Sequence, residues 1–134
     1  MRIKDKIEEI EAYLTELSEI TPKDFEEYFG DSKTKAACER YFEKIIEAVI
    51  DLAFLIIRDK DLKIPEEDKE AFDVLSEKGI IPEKLAEKLK DAKGMRNLIA
   101  HEYGSIDNEI VFHSITEEIE KDVRDFIGII KKLR

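Results

Sequence analysis

From Ser32 to about Asp59 the chain runs without a glycine or a proline, the two residues that break helices. This stretch predicts one long helix. Its second half carries Ile45-Ile46, Val49-Ile50, Leu52-Ala53 and Leu55-Ile56-Ile57, which is apolar on more than one face. Such a helix packs on both sides, in the middle of a bundle or also against a partner chain. Glu39, Glu43, Glu47 and Asp51 recur every four residues along it. Most such columns are solvated faces, but one member can hold a buried base.

Around this helix the pattern predicts four more. Ile3, Ile7, Ile10, Leu14 and Leu17 form one stripe at steps of four and three. Thr21-Pro22 reads as a restart, with Thr21 as N-cap, Pro22 at the first helical position and a short turn ending at Gly30. Pro65 opens the next helix, running to Lys78 with Ala71, Phe72 and Leu75 inward, and Gly79 is its left-handed cap. Pro82 opens the fourth, which runs to about Tyr103 and ends at Gly104. Ser105 to Glu109 reads as a loop and Ile110-Val111-Phe112 as a brief extended segment. The last helix runs from about Thr116 to Leu133, with Ile119, Val123, Phe126, Ile130 and Leu133 as its stripe. The expected fold is all-α: an antiparallel bundle of about five helices in one domain, residues 1–134.

Composition removes several function classes. No apolar run approaches the ~20 residues of a membrane span, and the N-terminus lacks the apolar centre of a secretory signal, so a cytoplasmic protein with no membrane contact is expected. The single cysteine, Cys38, reads as a small core residue. His101 and His113 are the only histidines, no Cys/His cluster has metal spacing, and neither metal nor cofactor is expected. A formal charge of −10 argues against a broad nucleic-acid face, and DNA is not expected as a partner. A local exception lies between Glu83 and Arg96, where Lys84, Lys88, Lys90, Lys93 and Arg96 face only Glu83, Glu87 and Asp91.

That segment leads into the candidate site. With Leu85 at zero on a helical wheel, Leu89, Ala92, Ile99 and Tyr103 lie within about 40° of it and form the buried stripe. Arg96 lies at about 20°, inside that stripe. Its guanidinium stays charged, so it must pair with an acid, reach outward or line a recess. Asn97 and His101 fall on another face, near ~120° and ~160°, and Gly94 near ~180° leaves that face without a side chain.

The sequence Arg96-Asn97-x-x-x-His101-x-Tyr103, at the end of the fourth helix of a small bundle, resembles the HEPN superfamily and, more narrowly, its HepT-like toxin family. Ala36-Ala37-Cys38-Glu39-Arg40, Ile45-Ile46-Glu47-Ala48, Ala71-Phe72-Asp73-Val74-Leu75 and Gly79-Ile80-Ile81-Pro82 agree in order along the chain. The resemblance implies a homodimer and a metal-independent ribonuclease, the toxin of a toxin–antitoxin pair. It implies a minimal nucleotidyltransferase antitoxin (MNT) that silences the toxin by transferring AMP to the motif tyrosine. Arg96 and His101 would then be catalytic, Asn97 supporting, and Tyr103 the modification site.

Those residue types suit the chemistry in their own right. Cutting RNA without a metal needs a proton acceptor near the 2′-hydroxyl and a cation for the charge on the phosphoryl oxygens. Imidazole serves the first task at neutral pH and a bidentate guanidinium the second. Lys90 and Lys93 stand beside the site as candidate RNA phosphate contacts, although lysines in such runs are more often a solvated face. Two other readings stay open. The chain can be a non-catalytic module that docks a nucleotidyltransferase, or a helical dimer in which Arg96 simply caps a carboxylate such as Glu47.

Overall fold

The computed structural model describes residues 2–101 and 106–133. Its elements are α1 (Ile3–Ile20), α2 (Phe25–Gly30), α3 (Ser32–Asp59), α4 (Glu70–Glu77), α5 (Glu83–His101), α6 (Asn108–His113), a π-helical turn (Ser114–Glu118) and α7 (Ile119–Lys131). The fold is all-α, and no strand occurs among the described residues.

Helix α3 is the axis of the bundle, and its length agrees with the uninterrupted sequence. It packs against α1 along most of its length, and against α2, α4 and α5 elsewhere. Phe42, Ile45, Val49, Leu52, Ala53 and Ile57 are completely enclosed. Large aliphatic side chains of this kind each contribute roughly 1.5–3 kcal/mol when buried. The α1 stripe meets this surface through Ile7, Ile10, Leu14 and Leu17. Edge-to-face packing of Phe72 on Phe126, with ring centroids 6.2 Å apart, ties α4 to α7 and closes the far side.

Acidic N-caps set α2 and α6. Asp24 accepts from the Glu27 amide at 2.8 Å and starts α2. Thr21, expected to cap that helix, instead ends α1: its amide and its hydroxyl both donate to the Leu17 carbonyl. Pro65 does not open a helix either. Residues 67–72 first make tight three-residue turns (Glu70, Ala71 and Phe72 amides to Glu67, Asp68 and Lys69), so α4 begins only at Glu70.

Two further expectations are corrected near the C-terminus. Ile110-Val111-Phe112 is helical, because Asp107 accepts from the Glu109 and Ile110 amides and starts α6. The final helical run therefore begins at Asn108 and passes through the π turn into α7, well before Thr116. Gly79 behaves as read. At φ +73° its amide donates to Ser76 and the Ile80 amide reaches the Leu75 carbonyl, closing α4 with two bonds. The expected helix end at Gly104 lies outside the described residues.

Candidate active site on the fifth helix

Helix α5 buries Leu85, Leu89 and Ile99 of the stripe expected from the wheel, with Ala86 beside them; Ala92 is half-buried and Tyr103 lies outside the described residues. Arg96 sits on that stripe, half-buried, and its charge is met from α3. Its Nη2 donates to Glu47 Oε1 at 2.7 Å, the shortest contact of the site. Its Nη1 donates to Asn97 Oδ1 at 3.2 Å. Its Nε is buried with no hydrogen-bond partner among the described residues. Arg96 is thus anchored from two directions and keeps unused donor capacity.

The Glu47 pair is open to water on the carboxylate side, where the side chain is 42% exposed against 23% for Arg96. An exposed pair of this kind contributes at most about 1 kcal/mol to stability. Its larger effect is orientation, since a guanidinium held along one edge presents a fixed remaining edge. Of the four acids on the α3 column, Glu47 is the one that reaches α5. Glu39 pairs with Lys35, Asp51 with Lys6 and Glu43 with Arg40.

His101 is exposed and is the last described residue of α5. Five residues of helix separate it from Arg96, about 140° of rotation and about 7.5 Å of rise. The fold therefore joins Arg96 to Asn97 and Glu47, while His101 is rotated away from Arg96, towards the side of α5 that carries Asn97. Tyr103 lies outside the described residues. Lys90 is engaged by Asp73 of α4 at 3.0 Å, and that bond, against the opposing effect of desolvation, holds its ammonium above the ordinary lysine value. Asp73 was not legible as its partner, because the sequence gives no sign that α4 crosses α5 at this level. Lys93 is half-buried and makes no ion pair among the described residues.

The sequence model of the family described as Ribonuclease HepT-like matches residues 3–130, nearly the whole chain. The chain belongs to the HepT-like ribonuclease family. Among relatives, it is 34% identical over 89 residues to a protein of Shewanella oneidensis named mRNA nuclease HepT, a match spanning 66% of each chain. It is 27% identical over 119 residues to the tRNA nuclease HepT of Aphanizomenon flos-aquae, covering 89% of this chain and 81% of the relative. Among solved structures, it resembles the tri-AMPylated Shewanella oneidensis HEPN toxin in complex with MNT antitoxin, with a TM-score of 0.91 and 27% identity over 99% of this chain and 100% of that one.

Within this HepT-like chain, no described helix is long and apolar enough to cross a membrane. Among the described residues, no group of three or more His, Cys, Asp or Glu side chains is placed to hold a metal ion. Cys38 is buried against Thr21, and burial pushes its thiol above the ordinary cysteine value, as befits a core residue.

Proposed function

We propose that this HepT-like chain is a cytoplasmic, metal-independent ribonuclease toxin, that it works as a homodimer, and that a nucleotidyltransferase antitoxin silences it by AMP transfer to Tyr103. The observation that carries this reading is the anchoring of Arg96 by Glu47 and Asn97, one to two turns before an exposed His101 on the same helix.

The chemistry assigns each residue a task. His101 takes the proton of a ribose 2′-hydroxyl as that oxygen attacks the adjacent phosphorus. The bond to the 5′-oxygen breaks, the departing oxygen takes a proton from water, and a 2′,3′-cyclic phosphate is left on the other fragment. Arg96 stabilises the charge that gathers on the phosphoryl oxygens in between. Asn97 keeps the guanidinium in place, and Lys93, with Lys90 behind it, meets neighbouring phosphates. The rotation between Arg96 and His101 is the reason for the dimer: two α5 helices meeting at their C-terminal ends make one cleft with two Arg/His pairs. AMP transfer joins the Tyr103 oxygen to the α-phosphorus of ATP with release of pyrophosphate. The adenylate adds a bulky anion to the motif and so competes with RNA phosphate for the site.

Incubating the purified chain with tRNA and mRNA in excess EDTA tests this. Cleavage is expected, with a drop of roughly 10²–10⁴-fold in His101→Ala. Co-expression with its nucleotidyltransferase should add AMP mass to Tyr103. A folded, unmodified dimer that leaves RNA intact would instead make the chain a docking module, the reading its acidic charge favours.

A further inference from the structure

A groove of about 540 Å³ lies between the start of α5 and α7. Five cations border it, Lys84 and Lys88 from α5 and Lys121, Arg124 and Lys132 from α7 and its end, against two acids, Asp122 and Asp125. The chain as a whole carries a net charge of −10, so this is a local reversal of sign. Folding creates it, because the α5 and α7 cations are far apart in sequence. On α5, Lys84 and Lys88 are turned about 100° and 140° round the helix from His101, so the groove is not the face of the motif imidazole.

Much of this positive charge is unspent. Lys84 and Lys132 are exposed and make no hydrogen bond or ion pair among the described residues. Lys88 faces Asp122 at 3.8 Å, too far for a hydrogen bond. Arg124 meets Glu120 through Nε at 3.1 Å, which leaves both terminal nitrogens of its guanidinium unengaged. Lys121 is held by Asp125 at 3.0 Å, but both side chains are more than half exposed and the pair is weak. Unpaired like charges around one concavity favour an anion between them.

The shape selects the anion. From Lys121 to Lys132 the α7 wall rises about 16 Å, which one phosphate group cannot fill and a run of backbone phosphates can. Beyond Lys88 the cleft between α5 and the π turn becomes acidic, with Asp91, Glu118 and Asp122, so a strand cannot follow it to the motif. Arg96 stands about 12 Å of rise further along α5 than Lys88. An RNA that touches both must bridge this gap, which suits a folded RNA and not a short strand.

We propose that the α5–α7 groove is a second RNA contact, separate from the cleavage motif, that grips a distant backbone segment and so favours large folded RNAs over short strands. The inference rests on the ribonuclease reading and deepens it by naming the substrate class.

The test uses Lys84→Ala/Lys132→Ala in the full-length chain, with Lys33→Ala/Lys63→Ala as a charge-matched control outside the groove. Binding of a fluorescein-labelled tRNA transcript and of a six-nucleotide strand is measured in the His101→Ala background, between about 50 and 200 mM salt. The groove variant should bind the transcript about tenfold more weakly, with a salt slope smaller by about two, one for each lysine. Its preference for the transcript over the short strand should shrink about tenfold, and Lys84→Arg/Lys132→Arg should restore both. The control should bind like the parent. The proposal is overturned if the groove variant keeps the parent's affinity and salt slope, or if the control loses as much, which would make the effect one of net charge. It is overturned too if the groove variant binds RNA normally but no longer gains AMP on co-expression, which would make the groove a protein seat. If the parent chain leaves RNA uncut in EDTA, the ribonuclease reading fails by itself, and the binding comparison still decides the role of the groove.

Discussion

Arg96 on α5 and Glu47 on α3 are joined by a 2.7 Å ion pair between residues 49 positions apart in sequence. The pair connects the candidate site to the central helix of the bundle. It also makes the two residues separable by experiment. Because Glu47 is 42% exposed, removing Arg96 leaves a carboxylate in contact with water and not a stranded buried charge. Arg96→Met should therefore change unfolding free energy by no more than about 1 kcal/mol in urea titrations, while cleavage falls to background. Glu47→Gln keeps an acceptor oxygen and should retain much of the activity. Glu47→Ala removes the anchor and should cost about tenfold or more in kcat, with a smaller effect on KM.

Gly79 makes a prediction confined to stability. Its φ of +73° is a conformation that other residues adopt at a cost, and the two bonds closing α4 depend on it. Gly79→Ala should lower unfolding free energy by about 1–2 kcal/mol, read as a lower Tm, with cleavage by the folded protein unchanged.

Much of this fold was legible because helical periodicity and the absence of breakers are local properties. The full extent of α3, the inward stripe of α1 and the cap at Gly79 all follow from residues near one another in sequence. The misplaced helix starts have more than one cause: aspartates, not Thr21 or the apolar Ile110-Val111-Phe112 run, set the starts of α2 and α6, whereas α4 begins after three-residue turns with no side-chain cap. Asp24 accepts from one orphan amide and Asp107 from two, and α2 and α6 begin at them. The partner of Arg96 could be narrowed to the α3 column, since periodicity lists the acids on that face. The Lys90–Asp73 pair could not, because it depends on how α4 crosses α5.

Asp122 supplies a pH dependence. Burial raises its pKa above the ordinary aspartate value, with Lys88 at 3.8 Å and Lys121 only partly opposing the shift. The folded chain thus holds this proton at pH values where the unfolded chain has released it. Asp122 contributes a penalty that is full at neutral pH and disappears as pH falls through the raised value and then the ordinary one. Asp122→Asn should be more stable than the parent at pH 7, and the two should converge below roughly pH 3 in thermal or urea unfolding.

A mixing experiment tests the proposed convergence of Arg96 and His101 across two copies. Arg96→Ala and His101→Ala chains are each expected to be inactive. After subunit exchange, verified by native mass spectrometry, the mixture should regain a substantial fraction of parental RNA cleavage in EDTA, because one copy then supplies the guanidinium and the other the imidazole. A mixture that forms mixed dimers and remains as inactive as either variant would contradict the shared cleft.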